Sequence, residues 1–245
     1  MSKLYVVGIG PGGYEQMTVK AVKVLEECDI IVGYTVYVDL VAEHFAGKEM
    51  LTTPMRQEEK RCRMAFDEVM KGRNTAMICS GDAGVYGMSG LIYEISRDYP
   101  GIEIEIVSGV TAALSGGAVL GAPLMHDFAV ISLSDLMTPW ELIQKRLAAA
   151  ASADMAICLY NPSSKKRKDY LARACDILLE YKEESIICGI VRNIAREEES
   201  MNILTLKELR NTEVDMFSTV YIGNKMTKII KDKMVTPRGY RYDRK

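Results

Sequence analysis

Apolar runs of strand length alternate with stretches of helical period along the 245-residue chain. Residues 3–9 read as a buried strand, and after a glycine loop a helix is expected over about 19–27. A short strand follows at 29–32. Cys62, Phe66 and Val69 share one face of a helix across 56–70, and 74–79 reads as the next strand. A helix beginning near Met88 leads to a strand over 101–107 and a helical stretch over 110–120, which Gly121–Ala122–Pro123 interrupts. The alternation then resumes, with strands over 128–133, 155–160 and 185–191 and helices over 139–151 and 166–180. In Thr138–Pro139–Trp140–Glu141 a threonine can cap a helix whose first turn holds proline. Thr205 and Glu208 have capping-box spacing between strands at 201–204 and 216–222. The pattern predicts an α/β protein of two lobes, 1–122 and 123–245, divided at the Gly and Pro punctuation near 121–127.

Composition narrows the partners. At 48% hydrophobic, 26% charged and a formal charge of -2, the chain lacks the basic footprint of a nucleic-acid binder. No apolar run reaches the length of a bilayer span, and Met1–Ser2–Lys3 leads into the first strand without a cleavable leader. A cytoplasmic location is expected, with neither membrane nor nucleic acid as partner. The six cysteines form no CxxC pair and have apolar neighbours, so they are expected as reduced core residues, with no metal site.

Candidate chemistry lies in glycine loops. Gly8, Gly10 and Gly13 satisfy G-x-G-x-x-G, the dinucleotide fingerprint. That fingerprint also needs a helix starting at once and an acid closing the second strand. Here the helical pattern waits until about Thr18, the second strand ends in Val32–Gly33–Tyr34, and Asp29 stands at its beginning. The loop therefore reads as a ligand approach or a tight turn, with little support for a nicotinamide cofactor. The second loop, 80–88, carries Gly81, Gly84 and Gly87 after a strand, with Val85, Tyr86 and Met88 able to cover an adenine or a methionine chain. Asp82 would orient a ligand or support the loop. The third, Val107–Ser108–Gly109–Val110–Thr111–Ala112–Ala113, enters a helix rich in small residues, where packing is an equal explanation. All three fall at carboxyl ends of strands, the usual ligand side of an α/β sheet.

Nearly the whole chain resembles a known family, the tetrapyrrole methylases. GIGPGG at 8–13, SGDAGVYGM at 80–88 and VSGVTAA at 107–113 are similar to its signatures, although many relatives have proline where Ser108 stands. GAPLMHDFAVISLSDLMTPW at 121–140, LYNPSSKKR at 159–167, GIVRN at 189–193 and MVTPRGY at 234–240 resemble its precorrin-3B C(17)-methyltransferase branch and the cobalt-pathway counterpart. The resemblance implies a two-domain tetrapyrrole methylase fold with the active site in the cleft between domains, assembled as a homodimer. It implies S-adenosylmethionine as cofactor, released as S-adenosylhomocysteine. The matching positions are Pro11; Gly81, Asp82, Ala83, Gly84, Val85, Tyr86 and Gly87; Thr111 and Ala112; Tyr160 and Asn161; Gly189 to Arg192; and Ser218, Thr219 and Val220. Tyr160 could equally be a packing residue, and Asn161–Pro162 a simple turn.

The implied reaction methylates carbon 17 of precorrin-3B or cobalt-factor III and contracts the ring, with the cobalt substrate favoured. Methylation at another corrin position, a nucleotide-dependent reductase and a noncatalytic tetrapyrrole carrier remain alternatives. For proton movement His126 leads, since imidazole titrates in the useful range, and Asp82, Asp135 and Asp127 follow. A histidine satisfied by a local hydrogen bond is the bland alternative for His126. The substrate carries several carboxylates, which points to Arg238 and, in the basic run, Lys165 and Arg167, although such runs are commonly solvated helix surface. Arg244 and Lys245 read as a solvated tail.

Overall fold

The computed structural model describes residues 2–164 and 167–241. The chain divides into two compact units, Met1–Ala112 and Ala113–Lys245. The division falls at the head of a helix, Ala112–Leu120; the punctuation at 121–123 lies at that helix's other end.

The first unit contains β1 (Lys3–Gly8), α1 (Val19–Glu27), β2 (Ile30–Tyr34), α2 (Thr35–Ala42), β3 (Glu49–Thr53), α3 (Glu58–Met70), β4 (Thr75–Cys79), α4 (Ser89–Ile95) and β5 (Glu103–Val107). Its five strands are parallel in the order β3-β2-β4-β1-β5. Both faces of the sheet are covered, which is why its strands read as continuous apolar runs. Val7, Ile31 and Ile78 pack towards α1 and α2, whereas their neighbours Val6, Val32 and Met77 pack towards α3 and α4. Thr18 caps α1 by accepting from the Ala21 N–H at 3.1 Å, so the helix starts well after the first glycine loop. Because β4, β1 and β5 are neighbours, their three following loops meet at one edge.

The second unit holds α5 (Ala112–Leu120), β6 (Gly121–Ala122), β7 (Phe128–Ser132), α6 (Trp140–Ser152), β8 (Ala156–Tyr160), α7 (Tyr170–Leu179), β9 (Ile187–Arg192), β10 (Ser200–Thr205), α8 (Leu206–Arg210), β11 (Ser218–Ile222), β12 (Lys228–Ile230) and β13 (Lys233–Val235). Its mixed sheet runs β10-β9-β11-β8-β7, with β11 antiparallel to both β8 and β9. Helices α6, α7 and α8 supply the main core through Trp140, Ile143, Leu147, Leu171, Leu178, Leu206 and Leu209. Helix α5 packs closely elsewhere on the unit: a Cβ on Gly116 would lie 2.4 Å from the Tyr221 hydroxyl, and one on Gly189 would lie 2.6 Å from a Leu120 methyl. Gly116 of α5 thus has a packing reason.

The expected capping box is present at Thr205 and Glu208. Other boundaries differ. Helix α6 begins at Trp140 with Pro139 as N-cap and no side-chain capping bond, so Thr138 does not cap it. Helix α7 begins at Tyr170, so residues 167–169 of the expected helix lie outside it, and Arg167 pairs with Asp135. Helix α2, strand β3 and the β12–β13 hairpin went unanticipated. Strand β13 lies beside β6 in parallel, Met234 opposite Gly121 and Val235 opposite Ala122.

Candidate active site

The three glycine loops of the first unit touch backbone to backbone. Gly10 and Gly81 exchange two hydrogen bonds, Gly10 N to Gly81 O at 3.1 Å and Gly81 N to Gly10 O at 2.7 Å. A Cβ on Gly109 would lie 2.1 Å from the Gly81 carbonyl oxygen, and one on Gly8 would lie 2.7 Å from the Gly109 nitrogen. Gly10 and Gly81 have φ of +76° and +69°, where a side chain is strained. Gly8, Gly10, Gly81 and Gly109 therefore let three loops share one small volume.

Asp82 joins two of them. Its carboxylate accepts from Gly84 N at 2.8 Å and from Gly109 N at 2.9 Å. Thr18 adds a link by donating to the Ser108 carbonyl at 3.3 Å. On the crest Gly84, Tyr86 and Gly87 are exposed, with Val85 and Met88 half-buried beside them, while Ala83 is buried. Exposed backbone next to apolar side chains suits an adenosine and its thioether chain. A Cβ on Gly81 would face the Thr111–Ala112 backbone at 3.7–3.8 Å. Tyr86 has φ of +55°, a costly conformation for an aromatic residue. Pro11 is buried in the first loop.

In the second unit, the ends of β7, β8 and β9 and the start of β11 share one sheet edge. The expected residues Tyr160, Asn161, Arg192 and Ser218 stand there. The Tyr160 hydroxyl accepts from Ala113 N at 2.8 Å, and the buried Tyr221 hydroxyl donates to Ala113 O at 3.1 Å, fixing the head of α5. Asn161, at φ of +52°, donates to Ser132 Oγ at 3.0 Å. Arg192 pairs with Asp215 at 2.7 Å, and Ser218 Oγ donates to the same carboxylate at 2.9 Å. Burial pushes the Asp215 carboxyl up, but Arg192, Ser218 and the Phe217 N–H together hold it below its ordinary range. Arg192, Asp215 and Ser218 border a cavity of about 430 Å³ with Met201 and Asn202. Gly189, Thr219 and Val220 are buried in the sheet. Ser132, Asp215 and Tyr221 escaped the sequence reading, since each acts through a partner distant in the chain.

The tetrapyrrole (corrin/porphyrin) methylase family model matches residues 3–210. The chain belongs to the tetrapyrrole methylase family. This methylase is 44% identical over 97% of its length, and 99% of the other protein's, to a Salmonella typhimurium protein named "Probable cobalt-factor III C(17)-methyltransferase". It is 42% identical over 97% of its length to the cobalt-factor III methyltransferase of Priestia megaterium, of which it spans 45%. The crystal structure of the methyltransferase CobJ superposes with a TM-score of 0.90 at 34% identity, covering 97% of the methylase and 100% of that chain. The methylase is an S-adenosylmethionine-dependent C-methyltransferase acting on tetrapyrroles.

The methylase's candidate acids and bases separate by their partners. Asp135 is committed to Arg167 at 2.5 Å and to the Tyr170 hydroxyl at 2.6 Å. The Tyr170 hydrogen bond and the Arg167 guanidinium hold its carboxyl below the ordinary range against burial, which suits an anchor rather than a base. The same pair engages Arg167. Asp82 is likewise spent on backbone N–H groups. Asp127 is exposed. His126 is half-buried, with Nε2 2.8 Å from the Pro237 carbonyl oxygen. A carbonyl only accepts, so Nε2 carries a proton and donates it, and Nδ1 is the ring nitrogen left over. Arg238 is exposed and donates to the Met125 carbonyl at 3.0 Å. Lys165, Arg244 and Lys245 lie outside the described residues. The described residues contain no cluster of metal-ligating side chains, and none of their helices is long and apolar enough to cross a membrane. All six cysteines are buried and unpaired by disulfides.

Proposed function

We propose that the methylase transfers a methyl group to carbon 17 of cobalt-factor III and promotes ring contraction in cobalamin biosynthesis. The observation that carries this reading is the near-complete overlap with the Salmonella typhimurium relative at 44% identity. S-adenosylmethionine, when bound, supplies a methyl group already activated by a positive sulfur, so the protein's task is placement and exclusion of water. The first unit's loops would bind it: backbone of Gly81–Gly87 and Thr111–Ala112 for polar edges, Val85 and Tyr86 for apolar ones, with Asp82 setting the spacing. Tyr160, Asn161, Arg192 and the 218–220 segment are proposed as further cofactor positions on the strength of the family motifs.

For contraction, His126 is the proposed proton-transfer group, because its half-buried ring has Nδ1 left over, whereas the Asp82 and Asp135 carboxylates are each held by two donors. Arg238 is proposed to meet a substrate carboxylate with the guanidinium N–H groups that Met125 leaves over. A homodimer in the cytoplasm completes the reading. It rests on family likeness and on six reduced, buried thiols, and light scattering on the purified protein tests the dimer.

Anaerobic assays with S-adenosylmethionine and either cobalt-factor III or metal-free precorrin-3B test the reaction. Ring-contracted C17-methyl product from the cobalt substrate, with at least tenfold higher kcat/KM, is expected. Preference for the metal-free ring would overturn the substrate assignment.

A further inference from the structure

Arg61, in the first turns of α3, is 4% exposed, yet carries a full charge. Its Nε donates to Thr53 Oγ1 at 3.1 Å, and its guanidinium stands 5.7 Å from the Tyr34 ring centroid. Among the described residues no acceptor meets Nη1 or Nη2, which together hold four N–H donors. Neighbouring acids are engaged elsewhere: Glu58 accepts from Arg56 N, Glu59 pairs with Arg63, Glu68 with Lys71 and Arg73, and Asp82 with Gly84 and Gly109. Gln57 Oε1, one helical turn earlier, is a buried polar atom without a hydrogen-bond partner.

Thr53, Tyr34 and Cys79 close β3, β2 and β4, so Arg61 stands at the carboxyl edge of the sheet that carries the glycine loops. It is near enough to Cys79 to draw that thiol's pKa downward against burial. A buried cation is costly unless an anion meets it, and a planar fork of donors matches a carboxylate. None of the loop glycines or its own helix acids fills that role.

We propose that Arg61 binds a peripheral carboxylate of the tetrapyrrole substrate through Nη1 and Nη2, oriented by Thr53 and Tyr34. The proposal rests on the methylase reading above. It makes Arg61 a substrate-binding residue distinct from Arg238 and from the basic run at 165–168. A carboxylate is also present on S-adenosylmethionine, and the two sources separate by experiment.

The test compares wild type with Arg61→Met and Arg61→Lys in the full chain. Cobalt-factor III binding is followed by visible absorption and S-adenosylhomocysteine binding by calorimetry. Arg61→Met should weaken tetrapyrrole binding at least tenfold and leave the cofactor product within twofold, and Arg61→Lys should recover part of the loss. A folded Arg61→Met protein with unchanged tetrapyrrole affinity overturns the proposal, as does a loss confined to S-adenosylhomocysteine. Should Arg61→Met fail to fold, carboxylate-esterified cobalt-factor III provides the second measurement. It should bind wild type at least tenfold more weakly than the free acid, with the difference shrinking in Arg61→Lys; an equal ratio in both proteins overturns the proposal. Binding without C17 methylation would refute the reaction assignment and leave the Arg61 comparison intact.

Discussion

The Asp82 carboxylate reaches across 27 residues of sequence to accept the Gly109 N–H at 2.9 Å. One acidic side chain therefore ties two glycine loops together. Asp82→Ala leaves the Gly84 and Gly109 N–H groups without their acceptor, at about 1–3 kcal/mol for each one left buried. S-adenosylhomocysteine affinity should fall about tenfold or more, equivalent to about 1.4 kcal/mol. Calorimetry on the folded variant checks this, and an unchanged dissociation constant would remove Asp82 from the cofactor machinery.

The loop contacts also give a contrast between glycines. Gly109→Ala would drive a Cβ to 2.1 Å from the Gly81 carbonyl oxygen, whereas a Cβ on Gly47 meets nothing within 4 Å. Gly109→Ala should destabilise by about 2–3 kcal/mol or fail to fold, as overpacking against rigid backbone does. Gly47→Ala should be neutral or raise the melting temperature slightly. Thermal melts of both decide the point.

These glycines show what the sequence made legible. Their positions after strands marked the carboxyl edge of the sheet, and the family motifs named the cofactor. Their reason was hidden: Gly8, Gly81 and Gly109 meet only because β1, β4 and β5 are adjacent, which local patterning does not encode. Asp82 and Asp135 show the same limit. Each stands in a suggestive motif, yet its role is set by Gly109 or by Arg167 and Tyr170 far along the chain. Helix α2 and β3 were missed because 35–53 mixes short apolar runs with no clear period, and Arg61 because nothing local marks one arginine of a charged helix as buried.

The Asp135 pair predicts an acid dependence of stability. Its folded-state pKa is depressed below the unfolded value of about 3.9. The stabilisation is fully present above that value and disappears as pH falls through the folded-state pKa. Asp135→Asn should lower the melting temperature at pH 7 by a few degrees, for about 1 kcal/mol in a partly exposed pair. The gap from wild type should narrow below about pH 4. A constant gap across pH would assign the loss to packing.

His126 and the terminal segment make a separable prediction. His126→Ala removes the bond to Pro237 O and the proposed base, whereas Thr236→Val removes only the links of Thr236 Oγ1 to Pro123 O at 2.7 Å and to Thr227 Oγ1 at 2.8 Å. Thr236→Val should cost about 1–3 kcal/mol of stability with kcat little changed at low temperature. His126→Ala should keep S-adenosylhomocysteine affinity within about threefold, below 1 kcal/mol, and lose contraction. Normal turnover by His126→Ala would end its proposed role.

The cysteines predict silence. Burial pushes Cys28, Cys62 and Cys175 up to about 12 and Cys79 up to about 11, and raises Cys158 and Cys188 as well. Native protein at pH 8 should take up no iodoacetamide within the time that urea-unfolded protein takes six equivalents, one per cysteine. Mass spectrometry reads the count.

The bonds from Thr236, Pro237 and Arg238 to Ala122, Pro123, Met125 and His126 bridge more than 110 residues of sequence. On the ribosome, the 121–126 segment emerges early and must wait for residues 234–238 before its hydrogen-bond partners exist. The first unit can complete its parallel sheet while the rest is still being made. The second unit is committed to a late, long-range closure, the kind of step that slows folding and leaves a partly assembled edge exposed meanwhile.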